Sequence, residues 1–268
     1  MKKMMTVSMV ALMAAGIVSA QEMVIVNQGS SQGADVEVTA EAALVSSYVW
    51  RGQVLNNDAV LQPQLTVEKN GVSFNIWGNY DLGENGAGIS SDYSEIDMTL
   101  AYTLPIDVND MAFDVGIIRY DFPNVVVGGE EIPATTELFV SATILSFSDY
   151  FIPSATLFGD IDEVNGTYVL FDVVAPLEIS DVFAVEAGVS AGYGNTSYND
   201  YYFAGDKESG FNDYNLYVNA SYEVAENISV SLNMTYTILD GGEIEDAADV
   251  LYEDKEKFWG GVNVAYDF

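Results

Sequence analysis

The chain has 268 residues, 49% hydrophobic and 12% aromatic, a folded protein's composition, yet 41 acidic residues against eight basic ones give a net charge of −33. That charge excludes binding to nucleic acid through a basic surface. With no His there is no Ser-His or Cys-His nucleophile and no His-ligated zinc or haem, and with no Cys there is no disulfide framework or lipoprotein anchor.

In chain order, residues 1–20 read as a signal peptide. Lys2 and Lys3 form a positive start, Met4 to Val18 an apolar run, and Val18-Ser19-Ala20 a cleavage site of small residues. The run is about 15 residues, short of the roughly 20 a membrane-spanning helix needs. Cleavage before Gln21 would remove two basic residues and take the charge to −35. Residues 21–34 read as a flexible leader. Residues 35–268 read as one domain, because no Pro- or Ser-rich linker interrupts them.

From Val36 the chain alternates with period two, the mark of strands with two unlike faces. The spacing predicts twelve strands: Val36 to Trp50, Ala59 to Glu68, Val72 to Tyr80, Tyr93 to Thr103, Met111 to Tyr120, Thr135 to Leu145, Pro153 to Gly159, Gly166 to Ala175, Phe183 to Tyr193, Asn212 to Glu223, Ile228 to Ile238 and Lys257 to Phe268. Most are near the roughly 9–11 residues that a tilted strand needs to cross a bilayer. Links after even-numbered strands are brief, as at Lys69-Asn70-Gly71. Those after odd-numbered strands are mostly long, as at Asn195 to Phe211 and Leu239 to Glu256, with Asp160 to Asn165 the exception. Short periplasmic turns and long outer loops have this pattern in outer-membrane barrels. The expected fold is therefore all-β: a transmembrane antiparallel up-and-down barrel of twelve strands in the bacterial outer membrane.

In such a barrel the apolar face meets lipid and the polar face lines the lumen. Tyr48, Trp50, Tyr80, Tyr102, Tyr193, Tyr214, Tyr222, Tyr236 and Tyr266 fall near strand ends on the apolar face, where amphipathic rings suit a membrane interface. The opposite face delivers Glu95, Asp97, Asp114, Glu137, Asp172 and Glu186 to the lumen, with Glu37 and Glu41 near the start. Rings of acids attract cations and repel anions. Two interiors fit this pattern: a cation-preferring pore for passive diffusion of small solutes, and a lumen filled by small side chains and water. The second would make a non-conducting structural or adhesion barrel with acidic outer loops.

The last strand carries Phe258, Val262, Val264, Tyr266 and Phe268 on one face and ends on an aromatic residue. Val264, Tyr266 and Phe268 look like the C-terminal sorting signal read by barrel-assembly machinery. The first predicted hairpin runs Ala43-Leu44-Val45-Ser46-Ser47-Tyr48-Val49-Trp50-Arg51-Gly52-Gln53, followed by Asn57-Asp58-Ala59-Val60-Leu61-Gln62-Pro63. These residues resemble the opening of the TorF-like, or Gcw_chp, family of outer-membrane porins. Its members have a Ser-x-Tyr-Val-aromatic-Arg-Gly strand and then a Pro-x-Leu-Gln-like strand, whose proline this chain lacks. The resemblance implies a barrel and a porin. Arg51 within this motif is expected either to pair with lumen or loop acids at the outer rim or to anchor on lipid phosphate.

Acid runs at Asp160-Ile161-Asp162-Glu163, Glu243 to Asp246 and Glu253-Asp254 fall in predicted outer loops. Hard oxygen ligands there suit divalent cations bridging lipopolysaccharide, although none has the spacing of an EF-hand loop; a solvated acidic surface is the better account of them. No protein-held metal or cofactor is expected. No enzyme is expected either: a barrel phospholipase or an Asp-His protease site needs His. The pair Glu95 and Asp97 reads as lumen charge, and Gly188 to Gly194 lies within a strand, where Gly suits close lumen packing or a bend.

Overall fold

The computed structural model describes residues 36–83, 91–106, 108–127, 130–203, 208–242, 244, 246 and 254–268. The expected signal peptide and leader lie outside them. In chain order the strands are β1 (Glu37–Val45), β2 (Tyr48–Trp50), β3 (Gln53–Asn56), β4 (Val60–Lys69), β5 (Val72–Asp81), β6 (Asp92–Thr103), β7 (Met111–Asp121), β8 (Val126–Val127) and β9 (Glu130–Glu131). Then come β10 (Thr135–Ile144), β11 (Ile152–Asp160), β12 (Thr167–Ser180), β13 (Phe183–Gly194), a short helix α1 (Thr196–Tyr202), β14 (Gly210–Ala225), β15 (Ile228–Leu239) and β16 (Glu256–Asp267).

Twelve of the strands close into one antiparallel barrel in which each pairs with its sequence neighbours, and β1 closes the ring by pairing with both β16 and β4. Ala40 faces Tyr266 on one side and Leu65 on the other. β2–β3 and β8–β9 form two separate hairpins. One end of the barrel carries tight connections such as Asn70-Gly71, Asp181-Val182 and Glu226-Asn227. The other end carries the long loops.

The two faces of the wall are chemically opposite. Leu44, Leu65, Phe74, Leu100, Leu138, Val140, Leu157, Val189, Leu216, Leu232 and Val262 are exposed and point outward, while Gln62, Asn79, Ser141, Thr143, Thr156, Ser190, Asn233 and Thr235 are buried and point inward. This inversion of a soluble core is what a lipid-facing barrel requires. Tyr102, Tyr214, Tyr222, Tyr236 and Tyr266 lie outward as expected. Phe268 is 78% exposed on the same side, its ring 4.7 Å from that of Tyr266. Its backbone N–H donates to Val38 at 3.0 Å, fastening the chain end to the first strand.

Strand boundaries agree with the alternation to within a few residues, with two kinds of departure. β12 and β14 run further than expected at the short-turn end, to Ser180 and Ala225. Pro176 does not stop β12; it sits opposite Glu186 in a ladder that runs on to Glu178 before its register shifts at Ser180. The larger departure is at the first strand. β1 ends at Val45, and the expected continuation through Trp50 is instead the first arm of the β2–β3 hairpin inside the barrel. Tyr48 and Trp50 therefore do not sit at a membrane interface: they are 4% and 7% exposed, within the lumen. The cause is local. Arg51 and Gly52 have φ of 45° and 82°, the two-residue turn with positive φ at both positions that reverses a tight hairpin, so the chain doubles back at Trp50↔Gln53.

Candidate functional site: a plugged acidic lumen

The hairpin starts at the junction of β1 and β4 and crosses the lumen near the long-loop end. At its tip a Cβ on Gly52 would come within 2.6 Å of Asp213 on β14 and 2.5 Å of Leu239 on β15. Only glycine meets both demands at this position, the positive φ and the missing side chain. Arg51 is in the same left-handed region without that freedom, a conformation that costs energy and persists only where surroundings enforce it.

What enforces it is an ion pair. Arg51 donates from Nη1 to Glu137 Oε1 at 2.9 Å and from Nη2 to Oε2 at 2.8 Å, a two-pronged bond from hairpin tip to β10. The Arg51 side chain has no solvent exposure and that of Glu137 has 4%. The Tyr120 hydroxyl on β7 donates to the same carboxylate at 2.9 Å. Four rings surround the guanidinium: its carbon lies 4.7 Å from the ring centre of Trp50, 4.5 Å from Phe158, 4.4 Å from Tyr168 and 5.8 Å from Tyr198. These distances fall within the reach of cation–π attraction, which strengthens on desolvation.

Further contacts seat both arms of the hairpin. The Tyr48 hydroxyl donates to Glu95 Oε2 at 2.7 Å, and the Asn56 amide to Asp81 Oδ1 at 2.5 Å. Asn79 donates to Asp81 and to Ser94, and accepts from Gln62. α1 packs on top: Tyr202 meets Trp50 edge-on at 5.1 Å, and Tyr198 meets Tyr168 at 5.2 Å. Val45, Val49, Val54, Val60, Trp77 and Trp259 form one apolar cluster around the hairpin, and Phe139, Phe158, Tyr168, Tyr198 and Phe203 belong to a second. Together the hairpin and α1 stopper the lumen near the long-loop end. Burial holds the hydroxyls of Tyr48, Tyr198 and Tyr202 well above the ordinary tyrosine value of 10.0, and Glu137 adds to the effect at Tyr198 and Tyr202 as Glu95 does at Tyr48.

Towards the short-turn end the lumen is polar. The sequence-identified acids lie at different heights within the barrel. Glu137 and Glu95 face the hairpin, and Asp97 is buried beside them on β6. Asp114 accepts from Thr103 at 2.6 Å, Asp172 from Tyr217 at 2.8 Å, and Glu186 sits opposite Asn219. A cavity of about 50 Å³ opens near that end, lined by Thr39, Glu41, Ser221, Ser231, Asn263 and Asp267 among others. Among the described residues eight acids are buried (Asp81, Glu95, Asp97, Asp114, Glu137, Asp160, Glu186 and Asp213) against one base, Arg51. The wall is thus acidic, and the buried cation is carried by the hairpin.

Several functional residues were missed in the sequence. Phe158 and Tyr168 are large rings on lumen-facing positions, and the signal was the set of glycines opposite them. A Cβ on Gly192 would fall 2.0 Å from the Tyr168 hydroxyl, and one on Gly188 2.1 Å from the Tyr217 ring. Asp160, counted among the loop acids, turns inward: Thr135 donates to it at 2.5 Å, and the backbone N–H groups of Asp162, Val164 and Asn165 at 2.9–3.0 Å. It holds its own loop closed. Asp162 pairs with Arg119 at the rim at 3.1 Å. Among the described residues no three acids converge on one point as a metal site would need. Glu243, Glu245 and Glu253 lie outside the described residues.

A family model described as MltA-interacting protein MipA matches residues 28–268, nearly the whole barrel chain. The chain belongs to the MipA family. The family shown is thus a different one from the TorF-like porins that the first hairpin resembles. No curated protein sequence matches this MipA-family chain. Solved structures similar in fold include the KdgM porin in complex with disordered oligogalacturonate, 9% identical, covering 87% of this chain and 99% of that one with a TM-score of 0.50. The NanC porin is 12% identical with the same coverage and TM-score. LpxR from Salmonella typhimurium is 10% identical, covering 85% and 99%, with a TM-score of 0.53. At these identities the likeness is one of fold: the MipA-family chain is a closed barrel of the outer-membrane porin kind.

Proposed function

We propose that the protein is an outer-membrane channel for passive passage of small cationic or neutral solutes, closed at its outer mouth by the β2–β3 hairpin. The observation that carries this reading is the distribution of buried charge. The buried acids belong to the wall, and the one buried base among the described residues rides on an element that folds in from a loop. Withdrawing the hairpin would leave a polar lumen whose buried charges, among the described residues, are all carboxylates, and such a lumen attracts cations and repels anions. The acid-lined wall disfavours a polyanion such as the oligogalacturonate in the KdgM complex. In this reading the short-turn end faces the periplasm and the long loops face outward. Lipid and lipopolysaccharide surround the wall, divalent cations meet the exposed loop acids, and the Val264, Tyr266 and Phe268 face serves recognition by the assembly machinery. No catalytic role is assigned.

Liposome swelling tests the proposal. A variant with residues 48–56 replaced by a short Gly-Ser linker should admit lysine or a neutral sugar much faster than glutamate, while the intact protein admits each slowly. Equal rates for lysine and glutamate would remove the charge preference.

The packed plug itself favours a second reading, a non-conducting structural or adhesion barrel that works through its surface. The family description, MltA-interacting protein, supports that reading. No swelling in either protein, with correct folding in both, would select it.

A further inference from the structure

The half of the Arg51 cage that belongs to the wall is complete without the hairpin. Glu137, Phe158 and Tyr168 come from β10, β11 and β12, and Tyr198 from α1; Trp50 alone comes from the hairpin. Partners other than Arg51 hold Glu137 and Tyr168 in place. The Tyr120 hydroxyl donates to Glu137 at 2.9 Å, and the Tyr168 hydroxyl donates to Asp213 at 2.8 Å. Gly192 leaves the space that the Tyr168 ring fills. A carboxylate fixed by a neighbour and ring faces spaced for a flat cation make a site organised in advance, which lowers the cost of binding.

From this geometry we infer that the far wall of the lumen is a binding site for guanidinium-bearing solutes, occupied in the closed state by the chain's own Arg51. The shape selects the class. Two parallel N–H groups meet the two carboxylate oxygens at 2.9 and 2.8 Å, which a planar guanidinium supplies and a point-charge ammonium does not. Phe158 and Tyr168 offer it their faces. A solute of this class entering the lumen competes with Arg51 for Glu137 and, by taking its place, frees a turn whose positive φ relaxes on release. The binding site stands on wall geometry alone; only its effect on permeation rests on the channel reading above.

The test uses chemical rescue and does not measure transport. Full-length Arg51→Ala protein is refolded from urea into detergent, in sodium chloride or in methylguanidinium chloride at the same millimolar concentration. The folded fraction is read as the band of altered mobility on an unheated gel, followed by a thermal melt. The folded fraction or melting temperature of R51A should rise severalfold more in methylguanidinium than in sodium, with tetramethylammonium intermediate. The intact protein should gain nothing, since its site is filled. The R51A/E137Q double variant, which lacks both charges and so leaves no unpaired carboxylate at position 137, should fold and also gain nothing. Equal behaviour of R51A in the two salts overturns the inference, as does an equal gain in the double variant or a failure of methylguanidinium to restore an R51A protein that does not fold in sodium.

Discussion

Arg51 and Glu137 illustrate how much one buried pair can decide. Removing one partner leaves the other charge desolvated, a change that typically costs about 3–5 kcal/mol, whereas removing both together costs far less. Arg51→Ala should therefore lower unfolding stability by about that amount, with the R51A/E137Q double variant recovering much of it, as read from urea-unfolding midpoints in detergent. A second residue-scale prediction concerns Gly116, where a Cβ would lie 2.4 Å from the Phe139 ring and 2.7 Å from the Leu100 carbonyl oxygen. Gly116→Ala should destabilise by about 1–3 kcal/mol, because the backbone carbonyl has nowhere to go. Little of this was legible in sequence. Arg51 stood out as a rare base and one of its two expected fates was a lumen acid, yet alternation cannot say which acid lies opposite across a barrel. Glu137 was one inward carboxylate among several; its partner is 86 residues away.

The strands and the hairpin differ in what fixes them. The barrel strands could be read in advance because each has lipid on one side and lumen on the other, and period two records that contrast directly. The β2–β3 hairpin carries a similar alternation for another reason, one arm facing polar wall groups and apolar clusters in turn, so Tyr48 to Trp50 looked like more of β1. Two signals pointed the other way. A strand from Val36 to Trp50 would be 15 residues, longer than a bilayer needs, and Arg51-Gly52 suits a positive-φ turn. The hairpin and α1 also depend on neutral tyrosines. The hydroxyls of Tyr48, Tyr198 and Tyr202 titrate above the ordinary value of 10.0 in the folded protein, so the folded state holds those protons after the unfolded chain has lost them. Their contribution is fully present below pH 10.0 and is lost as pH rises above it. Melting temperature should fall more steeply above that pH for the intact protein than for the variant lacking residues 48–56, which retains the barrel without the first of these tyrosines and without the hairpin contacts of the other two, Arg51 at Tyr198 and Trp50 at Tyr202.

For the whole molecule, charge and architecture belong together. An acidic chain stays compact here because its apolar surface faces outward and many inward acids have donors: Tyr48, Tyr120, Tyr168, Tyr217 and Thr103 each give a hydroxyl to one. A closed barrel leaves no unpaired strand edge within the membrane, and β16 pairing with β1 completes the ring. Heat-modifiable migration on a denaturing gel should therefore persist in the hairpin-deleted variant, since the twelve-strand ladder does not pass through residues 48–56. Closure by the hairpin is measured by single-channel recording in planar bilayers on the intact protein and this deletion variant, under a gradient of potassium chloride. A hairpin-closed acidic pore should give long closed intervals for the intact protein, and for the variant open steps whose reversal potential marks preference for potassium. An intact protein that is steadily open, or a correctly folded variant without conductance steps or with preference for chloride, would contradict it.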